Sequence, residues 1–281
     1  MIWIGGPPAS GKTTVATRLA CRHGMRLYSA DTRTWVHRDR ALAAGVAAAR
    51  RWEAMTPAAR WERSSLADML EMSLHHERGA MVIEDLAALP VSPLIVAEGS
   101  VLPASAVGRG IAVRSQAVWL MPTPRFQRQQ LRARGTPPGP ARLYSALTGL
   151  ISNEAARAGA HMITVDGSRD IGQIVASVED IAAGALTHGP LARTARERQA
   201  LRREANEALA AQAYAYYARP WTDGDPGTVV QRFICECGDA ACCESVPMPV
   251  GALRSQRPAA PGHKHGIPGR QAGRIGRGGG P

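Results

Sequence analysis

Gly6-Pro7-Pro8-Ala9-Ser10-Gly11-Lys12-Thr13 is the stretch that decides how this chain folds. It satisfies the spacing G-x-x-x-x-G-K-[ST], with Thr14 directly behind it. An apolar run, Met1-Ile2-Trp3-Ile4, leads into it, and helix-forming residues follow from Lys12 to about His23. A strand that feeds a glycine-containing turn and then a helix makes a phosphate cradle. Glycine lets the backbone approach the ligand, the N–H groups turn toward phosphate oxygens, and the helix N-terminus adds the positive end of its dipole. Residues Gly6, Pro7, Pro8, Ala9, Ser10, Gly11, Lys12, Thr13 and Thr14 are therefore the expected phosphate-binding set. Lys12 would reach the terminal phosphates and the Thr13 hydroxyl would ligate Mg²⁺.

Working outward, the 281 residues are enough for one large domain or two smaller ones. A hydrophobic content of 45% is ordinary for a globular protein. The formal charge of +11 is almost wholly arginine, because Lys12 and Lys264 are the only lysines. With so much Ala, Gly and Pro beside it, this charge reads as compositional bias. A nucleic-acid partner is compatible with it and is not favoured. No apolar run approaches the ~20 residues that span a bilayer, so no membrane association is expected. The phosphate loop begins too early to leave room for a secretory signal, and a cytoplasmic location is expected.

Five apolar segments read as strands: Met1–Gly5, Arg26–Ala30, Pro93–Ala97, Gln116–Met121 and His161–Val165. Helical stretches alternate with them, the pattern of an α/β fold with a parallel sheet. Residues 32–90 form a helical insert. Within it, Thr56-Pro57 opens a short helix through Trp61, and Ser65 caps one expected to run to Gly79. Ser168 to Gly184 reads as the last helix of a domain covering residues 1–186. Leu191 to about Tyr217 reads as a long charged helix, the start of a second region over residues 190–250. Residues 251–281 are Gly-, Pro- and Arg-rich and are expected to be a disordered tail.

In an open α/β sheet, ligands bind at the carboxyl ends of the strands. Asp31, closing the second strand, and Glu98, closing the third, should therefore share a crevice with the phosphate loop. Asp31 could instead cap the helix after it, and Glu98 could cap a turn. Arg33 reads as an anion binder or a solvated residue, and Glu84-Asp85 reads as surface. Past the fourth strand, Arg125, Arg128 and Arg132 lie at i, i+3 and i+7, on one face of a helix. That face is either a phosphate clamp or a solvated charged surface. Thr136-Pro-Pro-Gly-Pro140 suits a hinge.

Together these features resemble the small-molecule and nucleoside-monophosphate kinases of the P-loop NTPase superfamily. The resemblance covers about residues 1–186. It implies a three-layer α/β/α fold with a five-stranded parallel sheet in the order 2-3-1-4-5, followed here by a helical, Cys-rich C-terminal extension. It also implies an ATP- and Mg²⁺-dependent transfer to an unidentified small acceptor bearing a hydroxyl. On that resemblance Asp31 binds the acceptor hydroxyl or takes its proton, and Glu98 with Thr13 holds Mg²⁺. Residues 124–140 become a lid, in which Arg128 and Arg132 act on the transferring group and Arg125 on the nucleotide. Arg169 would stack on the base. A plain ATPase, or a nucleotide-regulated binding protein, are the rival readings.

Four of the five cysteines fall between Cys235 and Cys243. In a reducing compartment that density suggests metal rather than disulfides. Cys235, Cys237 and Cys242, spaced Cys-x-Cys-x4-Cys, with His263 about twenty residues on, resemble a small module of uncharacterised bacterial proteins. They would make a closed structural Zn²⁺ site, with Cys243 a competing ligand. Cys21 is expected in the core.

Overall fold

The computed structural model describes residues 1–101 and 114–262. At its centre are five parallel strands: β1 (Ile2–Gly5), β2 (Arg26–Ser29), β3 (Ile95–Gly99), β4 (Ala117–Pro122) and β5 (His161–Val165). They lie in the order β2-β3-β1-β4-β5, as the sequence led us to expect. Side chains alternate across this sheet with period two. Trp3, Ala97 and Trp119 face one side, whereas Ile2, Ile4, Val96, Val118 and Leu120 face the other.

Each face is covered by helices carrying an apolar stripe. On the second face lie α1 (Lys12–His23) and α8 (Ile171–Ile181), which bury Val15, Leu19, Ile174 and Val178. On the first face, α4 (Leu66–Met72), α5 (His75–Ala88) and α7 (Pro138–Arg157) bury Met69, Val82, Leu86, Leu143, Leu147 and Ile151. Each large side chain taken out of water contributes about 1.5–3 kcal/mol, so this layering is the main source of stability.

The insert holds α2 (Thr34–Ala43), α3 (Ala47–Ala54), α4 and α5. The helix opened by Ser65, whose Oγ accepts the Asp68 N–H at 3.1 Å, does not reach Gly79. It stops at Met72, and Leu74 takes a left-handed φ of 56°. Buried Leu74 and buried Gly79 serve a new helix instead, so packing overrides the continuous pattern. The expected last helix likewise divides into α8, capped by Asp170, and α9 (Ala183–His188).

The proposed hinge is also different. Thr123 caps α6 (Pro124–Ala133), and Pro138-Gly139-Pro140 form the first turn of α7. Prolines there lose no helical hydrogen bond, because the first N–H groups have no intrahelical acceptor. A Cβ on Gly139 would sit 2.7 Å from the Trp61 Cβ, so glycine is required for the insert and α7 to meet.

The C-terminal helix α10 (Ala195–Tyr217) begins four residues after Leu191, at a capping box of Thr194 and Glu197. It lies against β2, α2 and an antiparallel hairpin, β6 (Val230–Ile234) and β7 (Ser245–Pro249). Arg26 pairs with Glu204 at 3.0 Å, and Asn206 bonds both the N–H and the carbonyl of Ile234. Residues 251–262, read as the start of a tail, are packed: Leu253 is buried, and Pro258 O accepts the Glu236 N–H at 2.8 Å. Among the described residues, no helix is long and apolar enough to cross a membrane.

Candidate functional site: a phosphate loop opening on an aromatic cavity

The loop between β1 and α1 is built by unusual backbone angles. Gly6 has φ 142°, Ala9 φ 67° and Gly11 φ 87°. At Gly6 a Cβ would lie 2.5 Å from Leu120 O and 2.9 Å from Ser10 Oγ, so only glycine fits. Ala9 pays a steric cost for its left-handed angle, a strain that concentrates at ligand-binding turns. Gln127 of α6 pins the loop from behind by donating to Pro8 O at 3.0 Å and Thr148 Oγ1 at 2.7 Å. Sequence reading passed over Gln127, which sits among exposed arginines and is itself buried.

Strand register brings the charged groups to the mouth of the loop. Ser29 and Ile4 lie opposite Glu98 on either side. Ser29 Oγ donates to Glu98 Oε1, and Thr13 Oγ1 donates to the same oxygen at 3.2 Å. Glu98 Oε2 is fully buried and makes no hydrogen bond; it lies 3.8 Å from Lys12 Nζ. Lys12 Nζ is also 3.6 Å from Asp31 Oδ2, and the Asp31 side chain is 54% exposed toward the opening.

These three groups fix one another's protonation. Lys12 and, to a smaller degree, Arg78 hold the Asp31 carboxyl below the usual carboxylate range. Burial pushes Glu98 up against the opposing pull of Lys12. Burial would lower Lys12, but the charges of Asp31 and Glu98 outweigh it and hold the ammonium above its ordinary value. A buried carboxylate oxygen with no hydrogen-bond partner, beside a threonine hydroxyl, is a donor set that suits a hard divalent cation. Asp31 lies within the 3-10 turn Ala30–Arg33, and the residue in the capping position is Ser29.

From Lys12 the site opens into a cavity of about 830 Å³. Asp31, Thr34, Arg38 and Arg78 line it, as do Trp35, Trp52, Arg60 and Trp61 of the insert. Arg134 and Tyr144 line it from the lid side. Arg125, Arg128 and Arg132 are exposed on α6 and lie outside the lining, while Gln127 and Leu131 form that helix's buried face. Arg169 donates to Thr164 O at 2.9 Å and lies within 3.4 Å of Ser177 Oγ, tying β5 to α8.

Two further expectations need correction. Asp85 is not a surface residue: it accepts from Tyr28 Oη at 2.9 Å, His37 Nε2 at 2.8 Å, Arg33 Nε at 3.2 Å and Arg40 Nη1 at 3.1 Å. Burial would raise this carboxyl, but the bonds from His37 and Tyr28 and the charge of Arg33 hold it at about 2. Arg33 is thereby engaged with Asp85 and lies outside the cavity lining. The C-terminal region, read as separate from the site, supplies Gln212, Tyr216 and Trp221 to the same cavity wall. A signal for this was present: four of the six tryptophans (Trp35, Trp52, Trp61 and Trp221) line the cavity, and three of them lie among arginines in the insert.

At the other end of α10, Cys235, Cys237 and Cys242 bring their sulfurs within 4.8 Å of one another. Cys243 turns away toward α1, where its Sγ lies 3.8 Å from Arg18 O, near Cys21. Cys21 is buried, as expected. His263 lies outside the described residues.

The sheet order, the glycine-bounded loop and the Lys12–Thr13–Glu98 cluster define a P-loop protein of the NTPase kind. A family model described as an AAA domain matches residues 1–146, and the chain belongs to that family. Among similar solved structures is shikimate kinase from Acinetobacter baumannii in complex with shikimate. It is 18% identical, with 65% of this chain and 93% of that chain covered and a TM-score of 0.39. No curated protein matches the chain.

Proposed function

We propose that the protein is a phosphotransferase that moves the terminal phosphoryl group of ATP to a hydroxyl of a small acceptor. The observation that carries this reading is the 3.6 Å pairing of Asp31 with Lys12 where the phosphate loop meets the cavity. A nucleotide on the loop and a small molecule in the cavity would meet at that pair. The loop N–H groups and Lys12 would hold the phosphates. Thr13 and Glu98 would hold Mg²⁺, which when bound neutralises charge on the phosphate oxygens.

Asp31 is kept ionised by Lys12 and half-exposed to the cavity, so it is ready to accept the acceptor's hydroxyl proton. The acceptor oxygen would bond to the γ-phosphorus as the bond to the β,γ-bridging oxygen breaks, and ADP would leave. Lys12 and the cavity-lining Arg134 would offset charge on the transferring group. Arg128 and Arg132, with Arg125 toward the nucleotide, would join them only through a rotation of α6. Arg169, between β5 and α8, would flank the base.

The test is a small-molecule extract incubated with γ-labelled ATP. A labelled organic product is expected, and Asp31→Asn should lower its rate at least about 100-fold while ADP affinity changes little. Steady phosphate release with no labelled product would overturn the reading in favour of a plain ATPase.

We further propose that Cys235, Cys237 and Cys242 hold a structural Zn²⁺, with His263 as the fourth ligand. The convergence of three sulfurs on one point supports it. One equivalent of zinc is expected in the purified protein, and Cys237→Ser should lower both that content and the thermal transition.

A further inference from the structure

The far end of the cavity holds two guanidiniums that feel the Glu53 charge but pair directly with no carboxylate among the described residues. Arg38 and Arg60 line it, at 4% and 1% exposure. Arg38 spends its Nη2 on Met72 O at 2.9 Å, leaving Nε and Nη1 without a hydrogen-bond acceptor. Arg60 spends its Nε on Trp52 O at 2.8 Å, leaving Nη2 likewise. Their planes are held by rings. Arg38 lies 4.6 Å and Arg60 4.8 Å from the Trp52 centroid, and Arg60 lies 4.0 Å from that of Trp221.

The nearby carboxylates are spoken for. Asp39 and Glu53 pair with Arg219 at 2.7 and 3.5 Å, and Glu53 also accepts from Trp221 Nε1 at 2.7 Å. Among the described residues, no carboxylate lies within 4 Å of Arg38 or Arg60. Arg78 differs, because its donors reach Ala30 O, Thr34 Oγ1 and His37 Nδ1. Burial lowers Arg38 to about 10 and lowers Arg60 too, yet at neutral pH Arg38 keeps its charge. Rings alone would be held as well by apolar side chains, and a buried cation without a direct partner is costly. A guanidinium with open N–H groups against a cavity is a receptor for an oxyanion.

We propose that the acceptor carries an oxyanion, a phosphate monoester or a carboxylate, which Arg38 and Arg60 bind at the end of the cavity walled by Trp221. This rests on the phosphotransferase reading for the hydroxyl that faces Asp31, but the anion site stands on its own geometry. It makes the C-terminal extension part of substrate recognition, since Trp221 holds the Arg60 plane and Arg219 removes the competing carboxylates.

The experiment uses the full chain saturated with MgADP, so that the phosphate loop is filled. Tryptophan fluorescence is followed during titration with inorganic phosphate, with acetate as the carboxylate arm and glycerol as the neutral control. A saturable change is expected with one anion and not with glycerol, and the stronger anion identifies the acceptor's group. Arg60→Gln and Arg38→Gln should each weaken that binding at least about tenfold, with ADP affinity unchanged as the check on folding. No saturable change in the wild-type protein with either anion overturns the proposal, whatever the variants do. So does binding that survives both substitutions. Phosphoryl transfer to neutral acceptors alone would overturn the anion site and leave the phosphotransferase reading standing. Anion binding with no transfer to any acceptor would do the reverse.

Discussion

A single imidazole shows how deeply one wall of this cavity is buried. His75, 4% exposed at the start of α5, has its pKa pushed by burial to about 4, with the charges of His76 and Arg78 adding to the effect. Unfolded, it would titrate near ~6.5. The unfolded chain therefore takes up this proton first as pH falls. The stabilisation is complete above the unfolded value and disappears as pH drops toward the folded one. Urea denaturation should show a loss of about 2 kcal/mol between pH 7 and pH 5, and His75→Gln should abolish most of that slope. At this scale the sequence was legible wherever chemistry depends on local spacing. Lys12, Thr13, Asp31 and Glu98 could be picked out because strand ends and a glycine turn locate them. Asp85 could not, because its four donors come from β2, the turn after it and α2, and only folding collects them.

Helix ends were less legible than helices. The Ser65 cap is written in local sequence, and its helix starts where that residue predicts. The stop at Met72 is not, since it is imposed by the burial of Leu74 between α3 and α5. The prolines after Thr136 misled for a related reason: the same residues that make a loop stiff also open a helix. At α7 the junction is now specific enough to test. Gly139→Ala would put its Cβ 2.7 Å from Trp61 Cβ and 2.8 Å from Trp61 O, forcing the insert and α7 apart. A loss of about 1–3 kcal/mol is expected in chemical denaturation. Because Trp61 lines the cavity, acceptor KM should rise while nucleotide affinity holds.

Over the whole molecule, the division into a nucleotide region and a C-terminal appendage does not describe how the site is built. α10 crosses the edge strand β2, and Gln212, Tyr216 and Trp221 close a cavity whose other walls are far away in sequence. The tryptophans hinted at a shared wall, but no periodicity or motif reports which elements meet there, which is why the sequence placed α10 in a separate region. Removing residues 190–281 should therefore leave ADP binding within a few-fold of the full chain, as calorimetry would show. It should also abolish saturation by any acceptor. Retained acceptor saturation in the truncated protein would show that the wall is dispensable.

Trp221 lies more than two hundred residues after the phosphate loop, and this has a consequence for synthesis. A ribosome making the protein releases the loop and the first helix long before the last wall of the cavity exists. While translation proceeds, the nascent chain carries a phosphate loop with no finished chamber beside it. On the phosphotransferase reading, transfer would become available only when α10 has left the exit tunnel and folded back onto β2. On the same reading, a message broken before that point would yield a protein with a phosphate loop and no acceptor chamber.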